Sequence, residues 1–130
     1  MKKLNVIIVY NKEKDKILMC KREKEPYRGK FNLVGGKVEE NEDEIFAAYR
    51  ELEEETGITR NDIQLEHFMN FEYKKQDMQL EVFSGTLNKK VNLIEEVNKL
   101  YWINKESNFF DTEIFAGDGN NGHMIMQLEK

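Results

Sequence analysis

The sequence predicts a mixed α/β fold, and two observations support this. Runs of alternating apolar and polar residues, rich in β-branched side chains, occur both before and after one strongly patterned helical stretch. No segment rich in Pro, Gly or Ser separates these elements, and 130 residues suffice for one modest core. Strands on both sides of one helix therefore predict a single α/β domain that spans residues 1–130.

Three strands are expected before the helix. Residues 4–10 alternate and are rich in Val and Ile, and residues 16–21 follow after a polar turn, so the pair predicts a hairpin. A loop over residues 23–30 carries the only proline. A short strand at residues 31–34 then runs into two consecutive glycines, where positive φ is permitted and a ligand can approach the backbone closely.

The helix predicted within residues 36–58 separates apolar from acidic side chains. At about 100° per residue, one stripe is expected to face the core: Ile45, Tyr49, Leu52 and Thr56. An acidic face lies roughly a third of a turn away and comprises Glu44, Glu51, Glu54 and Glu55. Ala47 and Ala48 lie among these acids, so no bulky side chain screens the carboxylates.

This helix also carries start and stop signals. Asn41 can cap its first turn, with Glu44 as the reciprocal partner three residues later. Gly57 suits the left-handed position that ends a helix. Arg50 is spaced to pair with Glu54 one turn later, which would orient that carboxylate.

Further strands are expected after the helix, at residues 63–73, 78–87 and 99–103. A short helix started by Asn104 is predicted over residues 104–110. A turn-rich loop follows at residues 115–120, and the apolar C-terminal segment 123–130 favours a helix.

Composition indicates a soluble globular protein with a cytoplasmic location. Hydrophobic residues make up 39% and charged residues 35%, and no apolar run approaches the roughly 20 residues of a membrane helix. The basic N-terminus lacks a small-residue cleavage site, so no signal peptide is expected. Cys20 is the single cysteine and cannot form an internal disulfide. His67 and His123 are interpreted as too isolated for a zinc site.

Charge is distributed unevenly along the chain, whose formal net charge is −5. Residues 42–55 carry seven acids against one arginine, whereas residues 1–30 carry ten basic residues against four acids. A basic face beside an acidic metal site suits a polyphosphate substrate, although the lysines can also simply solvate strand edges. No nucleic-acid-binding motif is present, so the expected partner is a small-molecule nucleotide, with no nucleic acid and no membrane. Monomer and homodimer both remain open.

The order of residues between 36 and 58 resembles the Nudix box, the signature of the Nudix hydrolase family. The pattern is Gly-x5-Glu-x7-Arg-Glu-(aliphatic)-x-Glu-Glu-x-Gly-(aliphatic), and nine constrained positions match it without a departure: Gly36, Glu42, Arg50, Glu51, Leu52, Glu54, Glu55, Gly57 and Ile58. The resemblance implies an α/β/α sandwich around a mixed β-sheet, with this helix as the catalytic helix.

The resemblance also implies the reaction. Nudix enzymes hydrolyse a nucleoside diphosphate linked to another moiety, with water attacking a phosphorus. It assigns Glu51, Glu54 and Glu55 to Mg²⁺, for which Mn²⁺ can substitute, with the Gly36 or Gly35 carbonyl as a further ligand. Clustered carboxylates suit this role because Mg²⁺ prefers oxygen ligands. Glu51 is the preferred residue to orient or deprotonate the water, and Arg50 completes the catalytic set. Glu42 is interpreted as structural, with an outer ligand role as the alternative.

Two further residues, Glu96 and Arg22, are assigned by resemblance to particular relatives within the family. A further acidic ligand is expected ahead of the Trp102 strand, where Glu96 is favoured over Glu95; a solvated loop acid is the alternative. Arg22, at the end of the second strand, matches a phosphate-contacting arginine.

Base recognition is predicted outside the box. Residues 31–38, Phe-Asn-x-x-Gly-Gly-Lys-Val, resemble a stretch of the family's MutT-like enzymes that hydrolyse oxidised purine nucleoside triphosphates such as 8-oxo-dGTP. Asn32 stands where their base-contacting Asn does. Asp118 is the candidate from the loop at residues 115–120, with Asn120 in reserve. The alternatives are backbone capping for Asn32 and a turn role for Asp118.

Other functions within the fold remain open. Hydrolases of ADP-ribose typically carry a proline some fifteen residues after the box, whereas the only proline here is Pro26. Hydrolases of dinucleoside polyphosphates often carry a tyrosine in that region, and Tyr73 lies sixteen residues after Gly57, although packing explains it more simply. A non-catalytic nucleotide-sensing module generally lacks a box glutamate, and here all are present.

Overall fold

The computed structural model describes all residues, 1–130, and contains six strands and two α-helices. In chain order these are β1 (Lys2–Tyr10), β2 (Lys16–Lys21), β3 (Phe31–Leu33), α1 (Glu44–Thr56), β4 (Glu66–Tyr73), β5 (Met78–Thr86), β6 (Lys99–Asn104) and α2 (Asn120–Glu129). A single 3₁₀ turn, Lys74–Gln76, joins β4 to β5.

The sheet is mixed, in the order β3-β2-β1-β5-β4, with β6 on β2. Strands β1 and β5 run parallel from the pair Lys2–Met78 to the pair Tyr10–Thr86, and the other pairings are antiparallel. β6 pairs along the whole of β2, whereas β1 meets β2 only where Tyr10 faces Ile17. β3 pairs with β2 on the same edge as β1, beyond the short β1–β2 contact. The chain that leaves β3 therefore enters the glycine loop directly beside β1.

Alternation along β1 divides the core into two layers. Ile7 and Val9 point to one side, where they pack with Ala48 and Leu52 of α1. Ile8 and Tyr10 point to the other side, where Met124 of α2 is buried. Because successive residues of a strand face opposite sides of a sheet, one helix covers each face. The expected α/β/α sandwich around a mixed sheet is confirmed.

The start of α1 differs from the prediction. Asp43, not Asn41, is the N-cap, because its carboxylate accepts the backbone N–H groups of Ile45 and Phe46. Asn41 instead adopts a left-handed conformation with φ 64° in the preceding turn. Glu44 is consequently the first helical residue and not the capping-box partner. The predicted end is confirmed, since Gly57 adopts φ 80° and donates its N–H to the Glu53 carbonyl.

Three other element boundaries also differ. The strand predicted from residue 63 begins at Glu66, and Ile63 forms only an isolated bridge. The short helix predicted over residues 104–110 is wrong: Asn104 ends β6, and its side-chain oxygen accepts the N–H of Glu106 in a turn. This local side-chain bond competes with helix formation. α2 begins three residues earlier than predicted, directly after Gly119 at φ 91°.

Neither helix is long and apolar enough to cross a membrane.

Candidate functional site

The acidic face of α1 lies close to the sheet because the helix carries alanine there. Ala47 and Ala48 are completely buried, as is Leu52. Ile45 and Tyr49 are half-buried against the same core layer, so the predicted apolar stripe is confirmed. Small side chains let the helix approach the strands, which leaves the neighbouring carboxylates of Glu51 and Glu55 partly withdrawn from solvent.

Arg50 organises the acids around it. Its guanidinium donates two hydrogen bonds to Glu42, at 2.6 and 2.9 Å, in the bidentate geometry typical of strong arginine–carboxylate pairs. It also donates to Glu51 and Glu54, each at 3.1 Å, and to the Lys37 carbonyl at 2.9 Å. The predicted Arg50–Glu54 pair is therefore present, as one part of a larger network. With its nitrogens engaged by protein groups, Arg50 acts on the site by positioning the glutamates.

The box carboxylates have opposite electrostatic surroundings. The hydrogen bonds from Arg50 hold the pKa of Glu42 below its ordinary value, which supports a structural role for this residue. Burial, and after it the negative charge of Glu51, raise the pKa of Glu55 to about 7. Burial also raises the pKa of Glu51, although Arg50 opposes that shift. A charged Glu55 therefore has too little positive charge nearby to offset its burial when no cation is bound.

The glycine loop is held against this cluster by Asn5 of β1. The Asn5 backbone N–H donates to the Gly36 carbonyl at 2.7 Å, and its side-chain oxygen accepts the Gly36 N–H at 2.8 Å. A Cβ atom on Gly36 would overlap the Glu51 carboxylate, and one on Gly35 would overlap the Asn5 carbonyl. Both positions therefore require glycine for reasons of space, and Gly36 brings its backbone beside Glu51.

These groups fit a hard divalent cation. Glu51, Glu54 and Glu55 offer carboxylate oxygens on one helix face. The backbone of Gly36 lies beside Glu51, and its carbonyl keeps one lone pair beyond its bond to Asn5. The raised pKa of Glu55 supports a cation site independently of the ligand types. Repulsion from Glu51 contributes to this raised pKa, and a bound cation would relieve that repulsion. In the metal-free fold, Arg50 draws Glu51 and Glu54 toward itself.

The remaining predicted ligand and phosphate contacts lie on neighbouring loops and strands. Glu96 is exposed and has no hydrogen-bond or ion-pair partner, whereas the Glu95 carboxylate accepts the Leu100 N–H at the start of β6. Both carboxylate oxygens of Glu96 are thus free of protein partners, whereas one oxygen of Glu95 is used on the backbone. Arg22 lies close enough to Glu55 for its positive charge to oppose the rise in the Glu55 pKa, while its Nε donates to the Pro26 carbonyl.

Asn32 meets a partner that the sequence did not single out. Its side-chain oxygen accepts a hydrogen bond from the Asn121 amide at 3.0 Å, and Asn121 is almost fully buried. Asn32 also pairs in register with Cys20, whose pKa burial and the nearby charge of Glu55 raise to about 11. Asn32 therefore lies next to a residue that the charge of Glu55 reaches, on the side of the sheet covered by α1. Asn121 was missed because α2 was expected to begin at His123.

Asp118 and Asn120 lie on either side of Gly119, at the start of α2. Asp118 has φ 52° and its carboxylate accepts a hydrogen bond from the Tyr27 hydroxyl at 2.9 Å, so it ties two loops together. Asn120 is exposed as the first helical residue. Neither hydrogen-bonds to Asn32, whereas Asn121 does.

A group of aromatic rings surrounds Phe31, the residue that precedes Asn32 in β3. Phe31 meets Tyr101 edge-to-face at 5.3 Å and Phe115 at 6.2 Å. Tyr101 is exposed, so the group offers an aromatic surface at the solvent boundary. Flat apolar surfaces of this kind suit stacking of a nucleobase.

The interpretation of His67 as isolated is wrong. Its ring lies 2.6 Å from the buried carboxylate of Glu81, and these two groups together with Glu44 have ligand atoms within 4.8 Å of one another. Pairing of β4 with β5, and docking of α1 on the sheet, bring together residues that are distant in sequence. His123 remains exposed on α2, beside Phe71.

Comparison with known proteins agrees with this architecture. A family model described as "NUDIX domain" matches residues 1–119, which include every element except α2. A comparison with curated protein sequences found no match.

Solved structures similar to this one include several members of that family. A MutT structure from work on Aliivibrio salmonicida and Vibrio cholerae is 22% identical, with a TM-score of 0.71 over 98% of this chain and 95% of that one. An Ap4A hydrolase from C. elegans is 18% identical, with a TM-score of 0.76 over 97% and 95%. A MutT/nudix family protein from Enterococcus faecalis is 25% identical, with a TM-score of 0.66; the match covers 79% of this chain but only 43% of that one. With the box complete and its helix, glycine loop and sheet in place, the chain belongs to the Nudix hydrolase family.

Proposed function

We propose that this Nudix hydrolase cleaves a nucleoside triphosphate, preferably one with an oxidised purine such as 8-oxo-dGTP, into the monophosphate and pyrophosphate. The observation that carries the substrate choice is the Asn32–Asn121 amide pair, in which Asn32 lies next to a residue that the charge of Glu55 reaches. The Asn32 side-chain oxygen accepts hydrogen bonds from Asn121 and from the Leu33 N–H, which leaves its NH₂ group free to donate. Asn121 uses its NH₂ group on Asn32 and on the Ala116 carbonyl, which leaves its oxygen free to accept.

One free donor beside one free acceptor complements the altered edge of an oxidised purine. In 8-oxoguanine the ring nitrogen N7 carries a proton, whereas in guanine it is an acceptor. The Asn121 oxygen would accept that proton's hydrogen bond, and the Asn32 NH₂ group would donate to a neighbouring purine oxygen. A site built to pair with a donor discriminates against a base that presents an acceptor there, because buried polar groups are then left unpaired.

The box residues would perform the hydrolysis. Glu51, Glu54 and Glu55, with the Gly36 carbonyl and Glu96 as further candidates, would hold Mg²⁺. When bound, Mg²⁺ supplies charge neutralisation for the phosphates and a more acidic water. Arg50 holds Glu51 and Glu54 in orientation, and Arg22 neutralises phosphate charge. Glu51 takes a proton from the water, whose oxygen bonds to a phosphorus as the bridging P–O bond breaks and pyrophosphate leaves.

A hydrolysis panel tests the proposal. The wild-type protein with Mg²⁺ would be assayed on 8-oxo-dGTP, dGTP, ADP-ribose and a dinucleoside polyphosphate, with phosphate products quantified. We expect the highest kcat/KM for 8-oxo-dGTP, with pyrophosphate as the product. A higher value for dGTP or ADP-ribose would overturn the proposed substrate, and nucleotide binding without turnover would contradict catalysis.

Variants of the amide pair sharpen that test. Asn32→Ala and Asn121→Ala should each narrow the ratio of kcat/KM for 8-oxo-dGTP over dGTP by about tenfold, the value of one hydrogen bond of about 1.4 kcal/mol. Asp118→Ala tests the role predicted from the sequence in the same assay. Asn120→Ala is a matched control, since this exposed amide has no side-chain contact. An unaltered ratio in all of the first three variants would remove these residues from base recognition.

A dinucleoside polyphosphate is the second candidate substrate, because the surface around Arg22 is strongly basic. Lys21, Arg22, Arg28 and Lys99 line one groove, with Glu23 as its only acid. Such a groove can neutralise a phosphate chain longer than three units. Faster hydrolysis of the dinucleoside polyphosphate in the panel, with loss of that rate in Lys99→Ala, would favour this candidate.

A further inference from the structure

A second cluster of metal-ligating side chains lies at the opposite end of α1 from Glu55. Glu44 is the first residue of α1, His67 lies in β4, and Glu81 lies in β5. One ligand atom from each lies within 4.8 Å of the other two. Glu44 precedes Glu51 by two helical turns, about 10 Å along the axis, so the cluster is separate from the box carboxylates.

The Glu81 carboxylate is the unusual member. It is 1% exposed, and its oxygens lie 2.6 Å from His67 Nε2 and 2.7 Å from the donating Gln79 amide. Burial of a carboxylate is costly, and buried charges are normally paired or bound to metals. Hydrolysis at the box does not use Glu81, so this residue calls for a separate explanation.

Asn5 supplies an independent observation. Its side-chain nitrogen has no hydrogen-bond partner although the residue is 2% exposed. Asn5 lies in register with Glu81 on the neighbouring parallel strand, so the two side chains stand side by side on the α1 face. The glycine loop occupies the other edge of β1, and the Asn5 side-chain oxygen is bound to it. The unpartnered nitrogen is therefore on the side of the amide away from Gly36, toward the cluster, where it lacks an acceptor.

A cation already occupies part of this cluster. Lys3 Nζ donates to Glu44 at 2.8 Å, and the charges of Glu44 and Glu81 both raise the pKa of Lys3. Two carboxylates against one ammonium leave an excess of negative charge. Lys3 and Glu44 are both half-exposed, so the ammonium can swing into solvent without leaving a buried charge.

We propose that Glu44, His67 and Glu81 bind one divalent first-row transition-metal ion, with zinc as the reference case. One imidazole and two carboxylates form a ligand set that suits zinc, and a water hydrogen-bonded to Asn5 completes four positions. Metal–ligand bonds of about 2.0–2.2 Å require ligand atoms about 3.3 Å apart, which the present spacing reaches with small side-chain movements. His67 would bind through Nε2 as a neutral imidazole with its proton on Nδ1, Glu81 would bind as a carboxylate, and Lys3 would be displaced into solvent.

The bound ion would join the first turn of α1 to β4 and β5. It would thus stabilise the sheet end of the helix without contact with the nucleotide. This inference does not depend on the proposed substrate, because its readouts are metal binding and thermal stability.

The two histidines allow a direct test in the wild-type protein. Zn²⁺ would be added to the full chain in the presence of excess Mg²⁺, with the ring signals of both histidines followed by NMR. We expect the His67 signals to shift and saturate at one equivalent of Zn²⁺ or less, while those of His123 do not change. Thermal melting should show a rise in Tm over the same titration. An unshifted His67 ring would overturn the proposal.

Two matched variants complete the experiment. His67→Gln keeps a hydrogen-bond donor for Glu81 but removes the ligand, and His123→Gln removes the other histidine. Zn²⁺ affinity of the cluster, measured by the Tm rise, should fall about tenfold or more in His67→Gln and stay unchanged in His123→Gln. Equal Tm rises in both variants would place the zinc at the box glutamates and overturn the inference. If His67→Gln does not fold, Glu44→Gln is the replacement, with Glu40→Gln as its control.

Discussion

Two glutamates of the Nudix box meet opposite surroundings at the two ends of the same segment. Glu42, in the turn before α1, accepts two bonds from Arg50 and one from the Glu39 N–H, which lower its pKa. Glu55, in the last turn, has no hydrogen bond to a basic side chain, and burial beside Glu51 raises its pKa to about 7. The same residue type in one motif is therefore a paired structural anion in one place and a carboxylate with little opposing charge in the other.

The difference between Glu42 and Glu55 shows which end of the motif keeps unfavourable charge repulsion in the folded protein. Arg50 satisfies Glu42 completely, so that pair stabilises the turn in the metal-free state. Near Glu55 the opposing positive charge comes from Arg22, which makes no hydrogen bond to it. Repulsion at this end is relieved when a cation binds, so metal binding and catalysis are expected to depend on Glu55 and folding on Glu42.

The largest expected effect is on activity at the Glu55 end. Glu55→Gln should lower Mg²⁺-dependent kcat/KM by about 10³-fold, which corresponds to about 4 kcal/mol of transition-state stabilisation. The metal-free protein should fold at least as well as wild type above pH 7, because the change removes an under-compensated charge. Glu53→Gln, an exposed acid on the same helix, is the control. Wild-type turnover in Glu55→Gln would refute the metal assignment.

The second effect concerns the space beside Glu51. Gly36→Ala should lower kcat/KM by about 10²-fold, because the added methyl group would displace the Glu51 carboxylate. The change can be checked in a Glu51→Ala background, where the overlap no longer exists. There Gly36→Ala should have little further effect on residual activity or Mg²⁺ affinity; a full additional loss would contradict this cause.

The third effect is mainly on stability, at the Glu42 end. Glu42→Gln should lower the free energy of unfolding by about 1–3 kcal/mol, because Arg50 loses its bidentate partner. Activity should fall by only about tenfold, since Arg50 still contacts Glu51 and Glu54. Chemical denaturation and initial rates would measure both quantities, with the unpartnered Glu40→Gln as the control. A greater loss of activity in Glu42→Gln than in Glu55→Gln would contradict the assignment of stability to Glu42 and of activity to Glu55.

The smallest effect is the pH dependence of metal binding. The pKa of Glu55 is raised from 4.5 to about 7 in the fold, so its proton competes with Mg²⁺ below that pH. Affinity for Mg²⁺ should therefore fall by up to about tenfold between pH 7 and pH 6. In the metal-free protein, the same shift lowers stability as pH rises from 4.5 toward 7, because the folded state binds the proton more tightly.

Titration of wild type and Glu55→Gln at several pH values measures this effect. The variant should bind Mg²⁺ more weakly, with a flatter pH dependence over the same range. An equal slope in both proteins would assign the competing proton to another group.

Much of the catalytic helix could be predicted because its pattern is local. A helix places residues three, four and seven apart on one face, so the spacing of Glu51, Glu54 and Glu55 was sufficient to group them. The Arg50–Glu54 pair and the Gly57 stop follow from the same geometry. The helix start was predicted incorrectly because Asn41 and Asp43 are both residue types that favour the N-cap position. The choice of Asp43 goes with the fold of the preceding turn, in which Glu42 pairs with Arg50 eight residues later, and the sequence pattern does not show this pairing.

The Asn32–Asn121 amide pair and the Asn5 contacts with Gly36 could not be predicted in the same way. Asn32 and Asn121 are 89 positions apart, and Asn5 lies 31 positions before Gly36. Asn5 did carry a signal, as a polar residue on the inward side of an alternating strand with Ile7 and Val9. That signal identifies an unusual residue but not its partner, because the partner depends on which chain segment lies along the strand.

Sequence alone was enough to establish the Nudix family and the helix that carries its acidic motif, since both depend on side chains within a few turns of one another. Strand pairing and helix docking selected the rest: the Asn32–Asn121 amide pair, the glycine loop beside Glu51, and the meeting of Glu44, His67 and Glu81. The physical reason is the range of the interactions. Helical periodicity acts over about four residues, whereas burial of apolar surface on both sides of the sheet brings together residues tens of positions apart.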